Sequence, residues 1–166
     1  MGHRPTRYGP AVASRGGSQR VSPRGSARWR HRGYRFDMVR PDEHVLAANC
    51  QYYEAFEAKD LDAMSDLWER SDRALCTHPG WATLEGWGAV ASSYFALFQN
   101  GQQIQFVITR ERVTVVEGAA WVSLDENLLG DQGGVTVAAV NLFVPDASGG
   151  WRMVGHHGSV VQSSSE

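Results

Sequence analysis

Three histidines are the residues best suited to moving a proton near neutral pH: His78 beside a Pro-Gly turn, and the adjacent pair in Trp151-Arg-Met-Val-Gly-His-His-Gly-Ser159. Imidazole titrates in that range without help. Asp125 and Asn141 add a carboxylate and an amide within strongly apolar stretches. A carboxyl shielded from water has its ionised form disfavoured, and its pKa rises toward useful values. A buried amide must find partners, either a ligand or a neighbouring histidine. The chemistry these groups could share is acid–base catalysis on a small hydrophobic, carbonyl-bearing molecule, with His78 or His157 as base and Asn141 or a tryptophan as orienting group. Tyr53, Trp68, Trp81, Trp87 and Trp121 supply aromatic surface for stacking on such a ligand.

Each candidate has a competing structural account. His78 can bond the loop backbone, and His157 can be a satisfied core histidine. Asp125 can be solvated or lie at a subunit face. Tyr53 and Trp68 fall on apolar helical stripes, which favours core packing, and Glu85 is explained by a favourable charge at a helix start.

The elements that position these residues follow from periodicity. Leu46, Cys50, Tyr53 and Phe56 form a helical stripe after Pro41, with Asp42 and Glu43 at the positive end of the dipole. Asp60 is an N-cap for a short helix with Leu61, Met64, Leu67 and Trp68 on its apolar face. Ala74–Thr77 reads as a short buried strand, and a third helix after Gly86 carries Trp87, Val90, Tyr94, Leu97 and Phe98. Beyond Asn100-Gly101 the period becomes two. Gln103–Val116, as one bent strand or two pieces joined at a bulge, precedes strands at Ala119–Leu128, Val135–Val144 and Trp151–Val160. Segregated helices followed by antiparallel strands specify an α+β layer fold with a curved sheet over the helices and a concavity between the layers. Alternation puts Trp151, Met153 and His157 on one side of the last strand and His156 on the other. If Trp121 faces inward, Asp125 does too; periodicity alone leaves the inner side of that strand open.

Charge divides the chain. Residues 1–40 hold ten arginines and one acid, whereas residues 41–166 hold six basic residues and seventeen acids, about +9 against −11. Residues 1–37, rich in Arg, Gly and Ser, are expected to be a disordered leader, whether a translated leader upstream of a start at Met38, an organellar transit peptide or a basic nucleic-acid tail. Residues 38–166 are expected to form a single domain, whose acidity excludes nucleic acid as the folded domain's ligand. No apolar run is long enough for a membrane-spanning helix. Cys50 and Cys76 lack metal-ligand spacing and are expected to be buried free thiols, which favours the cytoplasm. No phosphate-binding glycine loop or Gly-x-Ser-x-Gly elbow occurs, and opposed directions in a strand prevent His156 and His157 from ligating one metal. No metal or cofactor is implied.

Three segments carry a family resemblance: "YYEAFEAKDLDAMSDLWE", "HPGW…EGWGAV" and the closing "WRMVGHHGS". From about Asp42 to Val161 the chain resembles the SnoaL-like branch of the nuclear transport factor 2-like (NTF2-like) superfamily. The closing strand is similar to a Trp-x-x-Val-His-x-His-x-Ser pattern of that branch and of the association domain of calmodulin-dependent kinase; Trp151, Val154, His157 and Ser159 match it, while Gly155 replaces the first histidine. The resemblance implies a cone-shaped fold with three N-terminal helices packed in a strongly curved antiparallel sheet. It also implies a small hydrophobic ligand and a homodimer through the outer sheet face. The chemistry it implies is broad: members include steroid isomerases, polyketide cyclases, dehydratases and plain dimerisation domains. Two readings follow, a cofactor-free isomerase, cyclase or dehydratase, and a non-catalytic ligand-binding or homodimerisation domain.

Overall fold

The computed structural model describes residues 40–130 and 133–162. The Arg-rich leader expected over residues 1–37 lies outside them. The elements run α1 (Pro41–Glu57), α2 (Leu61–Leu67), β1 (Leu75–Thr77), β2 (Leu84–Glu85), α3 (Trp87–Gln99), β3 (Gln105–Val116), β4 (Ala119–Gly130), β5 (Gly133–Pro145) and β6 (Trp151–Val160). This is the α+β order expected, with three helices packed on one face of a six-stranded sheet of order β2-β1-β6-β5-β4-β3.

Local chemistry sets the boundaries. Pro41 fits the first turn of α1, where its missing N–H costs nothing. Asp60 caps α2 by accepting from the Ala63 amide at 2.9 Å. The hinge at Lys59 has φ +54°, an uncommon conformation for a residue with a Cβ. The buried face of α1 is Val45, Ala48, Asn49, Tyr52, Tyr53 and Ala55; of the expected stripe, Tyr53 is in it, Leu46 and Phe56 pack half-buried at its edge, and Cys50 is outside it. Cys50 therefore points to solvent and Cys76 alone is a buried thiol, correcting the expectation for Cys50. Val90, Tyr94 and Phe98 of α3 and Met64 and Trp68 from the α2 segment complete the core against Val122, Leu124, Ala139, Phe143 and Met153.

Two irregularities decide which side chains enter the interior. In β3 the register shifts between Thr109 and Arg112, with Arg110 at φ +56°, so this is one strand bent at a bulge. In β6, Leu142 pairs with Gly155 and Phe143 with Met153, leaving Val154 as an extra residue. The bulge reverses the alternation beyond it. β1 joins β6 in parallel, an exception to the expected antiparallel meander, because α3 and four strands, β2 to β5, intervene before the chain returns in the same direction.

Candidate functional site

β4 turns Val122, Leu124 and Glu126 toward the helices and Trp121, Ser123 and Asp125 away from them. Asp125 is thus an outer-face carboxylate held 3.3 Å from Arg110. The inward carboxyl on this strand is Glu126, 3% exposed, a residue the sequence reading missed. Its signal was a lone acid in the apolar series Val122, Leu124, Glu126, Leu128.

β6 makes the second correction. Past the Val154 bulge, His156 is buried opposite Asn141, while His157 lies exposed opposite Val140. The imidazole at the interior is therefore His156. Pairing of β1 with β6 brings His78 alongside, its ring centroid 6.2 Å from that of His156.

Hydrogen bonds join these groups through Asn141. Its Nδ2 donates to Asn49 Oδ1 at 2.8 Å and to the Tyr53 hydroxyl at 3.0 Å. Its Oδ1 lies 2.7 Å from His156 Nδ1. An amide oxygen only accepts, so His156 carries its proton on Nδ1 and leaves Nε2 with the lone pair. Tyr53 donates to Glu126 Oε1 at 2.8 Å, and Asn49 Nδ2 donates to Glu111 Oε1 at 2.8 Å. The same reasoning assigns His78. Ser93 Oγ donates to the Val90 carbonyl at 2.7 Å, so it accepts from His78 Nε2–H at 2.9 Å. His78 is then fixed against α3, with the Cys76 thiol 3.8 Å from Nδ1.

Burial sets the electrostatics. Desolvation raises the Glu126 carboxyl to about 7, opposed by the Tyr53 hydrogen bond. It lowers His78 to about 4 and His156 to about 3, the latter helped by the other two histidines. The Cys76 thiol is pushed up to about 12, mainly by burial, and Tyr52, Tyr53 and Tyr94 are likewise raised. At neutral pH the interior holds neutral imidazoles, neutral phenols and one carboxyl poised between its two forms.

The aromatic candidates separate. Tyr53 belongs to the network, and Trp68 is buried 6.2 Å from the half-buried Trp87, its Nε1 without a hydrogen-bond acceptor. Trp81 is 46% exposed, edge-on to His78 at 5.2 Å. Trp121 lies on the outer face, opposite Leu142. A groove of about 890 Å³ between α1, α2 and the β5–β6 turn includes none of the inward polar groups. Among the described residues no group of His, Cys, Asp or Glu is arranged to hold a metal, and no helix is long and apolar enough to cross a membrane.

The fold places the chain among known proteins. The SnoaL-like domain profile matches residues 45–163. A candidate dehydratase of the NTF2-like family from Streptomyces avermitilis is 36% identical, with a TM-score of 0.68 over 74% of this chain and 96% of that one. A candidate calcium/calmodulin-dependent protein kinase type II association domain from Thiobacillus denitrificans is 34% identical, with a TM-score of 0.61 over 70% and 94%. F-box protein SKIP8 of Arabidopsis thaliana is 28% identical over 117 residues, 70% of this chain; the chain spans about half the length of that curated relative. The chain belongs to the SnoaL-like domain family of the NTF2-like superfamily.

Proposed function

We propose that residues 38–166 form a cofactor-free acid–base enzyme acting on a small hydrophobic molecule with a carbonyl or enolisable hydroxyl, an isomerase, cyclase or dehydratase. The observation that carries this reading is Glu126, a buried carboxyl held near 7 and bonded to the Tyr53 hydroxyl. A base of that pKa is well matched to proton abstraction at neutral pH. A ligand oxygen would take the Tyr53 hydroxyl proton in place of Glu126 and develop its charge there. Asn141, both N–H bonds of which go to Asn49 and Tyr53, fixes the Tyr53 hydroxyl and the His156 tautomer, and the His156 Nε2 lone pair is a second proton acceptor. This replaces His157 and Asp125, which face outward, and leaves His78 as a positioning residue tied to Ser93. The free thiols Cys50 and Cys76 favour the cytoplasm.

The test is a thermal-shift and turnover screen of hydrophobic ketones, lactones and aromatic polyketides on wild type and Glu126→Gln. A substrate raises the apparent melting temperature of both, and the variant loses about a hundredfold or more in turnover. No stabilising or converted compound would overturn the reading.

A second reading rests on the outer sheet face, where Leu142 is 40% and Val140 36% exposed beside Trp121. An apolar strip there suits a homodimer contact. Sedimentation of wild type and Leu142→Glu checks it: loss of a dimer in the variant supports the contact, and a monomeric wild type removes it.

A further inference from the structure

We infer that Phe56 and Phe106 form a closed port at the end of α1, through which a flat apolar ring bearing a hydroxyl or carbonyl reaches Tyr53 and Glu126. This inference rests on the proposed function of those two groups. A cavity of about 80 Å³ lies where the ends of α1 and α3 meet the segment before β3, lined by Phe56, Leu97, Phe98 and Ile104, with Glu57 and Lys59 at its margin. Phe56 is its inner wall. That ring is edge-on to Phe106 at 5.1 Å, Phe98 at 5.4 Å and Tyr94 at 6.2 Å. Phe106 in turn lies 5.2 Å from Tyr53, whose hydroxyl meets Glu126. Two rings thus separate the cavity from the candidate acid–base pair.

The rings are held by ties at the surface. Lys59 Nζ donates to the Asn100 carbonyl at 2.7 Å, linking the ends of α1 and α3. Glu57 Oε1 accepts from the Phe106 amide at 2.6 Å, linking α1 to β3. Exposed polar ties add little to stability, and Lys59 holds its place in the left-handed region, an uncommon conformation for a non-glycine residue. Opening requires the two surface hydrogen bonds to release and the Phe56 and Phe106 rings to turn out of their edge-on contacts. The cavity is too small for a six-membered ring; an apolar void that admits benzene measures roughly 150 Å³. Loss of the Phe56 ring moves the space toward that size, so Phe56 sets both the rate and the size limit of access.

The experiment uses 4-fluorophenol with the full chain. ¹⁹F exchange NMR gives its association rate, and ¹³C NMR of the glutamate carboxyls gives the Glu126 titration. Wild type is compared with Phe56→Ala and with Lys59→Met, which removes one tie and keeps the apolar stem. The expected result is an association rate raised tenfold or more in Phe56→Ala and several-fold in Lys59→Met, with the Glu126 signal shifted by the probe. Equal rates in all three proteins with a shifted Glu126 would overturn the port while leaving the site intact. No Glu126 shift in any protein would overturn both. If Phe56→Ala does not fold, Lys59→Met decides.

Discussion

Replacing Glu126 with Gln isolates the cost of the buried carboxyl. In the fold, burial lifts this group from 4.5 to about 7, and in the unfolded chain it titrates as an ordinary glutamate. Between those values the folded state keeps a proton that the unfolded state has released. Stability therefore falls as pH rises through this window, and the penalty is complete above pH 7. Each pKa unit is worth about 1.4 kcal/mol, so the move from 4.5 to about 7 amounts to about 3 kcal/mol. Gln keeps the volume and an acceptor for the Tyr53 hydroxyl but does not titrate. Urea denaturation of both proteins at about pH 4.5 and about pH 7.5 gives the two stabilities. The variant is expected to gain about 3 kcal/mol on wild type between the two conditions, because the histidine contributions are common to both. A difference that stays flat across the window would show that Glu126 ionises normally in the fold and would refute the reasoning.

The histidines act in the opposite direction. Their folded pKa values lie near 4 for His78 and 3 for His156, so the unfolded chain gains protons first and stability falls as pH drops from about 6.5. His78→Gln should lessen that dependence by about 1.4 kcal/mol per pH unit between about pH 6 and 4.5, read from urea midpoints. Tyr53→Phe removes the donor to Glu126 and one acceptor of Asn141; the expected cost is about 1–3 kcal/mol, with Glu126 titrating still higher by ¹³C NMR. At Gly155 an added Cβ would meet Leu142 Cδ1 at 2.8 Å and its Cβ at 3.3 Å. Because Leu142 is 40% exposed and its Cδ1 end can turn aside, Gly155→Ala should cost no more than about 1 kcal/mol, and Leu142→Ala in the same chain should recover part of it in thermal denaturation.

The helices and strands were legible because an apolar period runs along each: Val90, Tyr94 and Phe98 on α3, Val122 and Leu124 on β4, and Val137, Ala139 and Phe143 on β5, with Glu126 and Asn141 as the polar members of the two strand series. The candidate site was less legible because it depends on parity. Uninterrupted alternation along β6 carries His157 inward with Trp151 and Met153, and one extra residue at Val154 exchanges it for His156. Only Gly155 hints at that bulge, and glycine is also common in turns. On β4 both faces carry a large apolar group and an acid, Trp121 with Asp125 and Leu124 with Glu126. The choice between them comes from the sheet's position against α1, a long-range contact that local spacing does not encode. Asn141 was readable for a different reason: an amide between Val140 and Leu142 requires partners whatever the register, and it has three of them.

The two functional readings make different demands on the interior. A domain that only assembles through its outer face gains nothing from inward polar groups, and an apolar residue at Glu126 or Asn141 would avoid their desolvation. Instead α1, β4, β5 and β6 each contribute one or more, and Asn141 meets Asn49, Tyr53 and His156 at 3.0 Å or less. That fixes one imidazole tautomer and, through Tyr53, steadies a carboxyl at the midpoint of its titration. The arrangement leaves Glu126 in an energetically poor state at neutral pH, and groups held that way concentrate where protons are transferred. The outer face, with Asp125 paired to Arg110 and His157 in solvent, carries no comparable strain. Assembly through that face is compatible with acid–base chemistry on the inner one, since no residue of the polar network lies on the outer side of β4, β5 or β6.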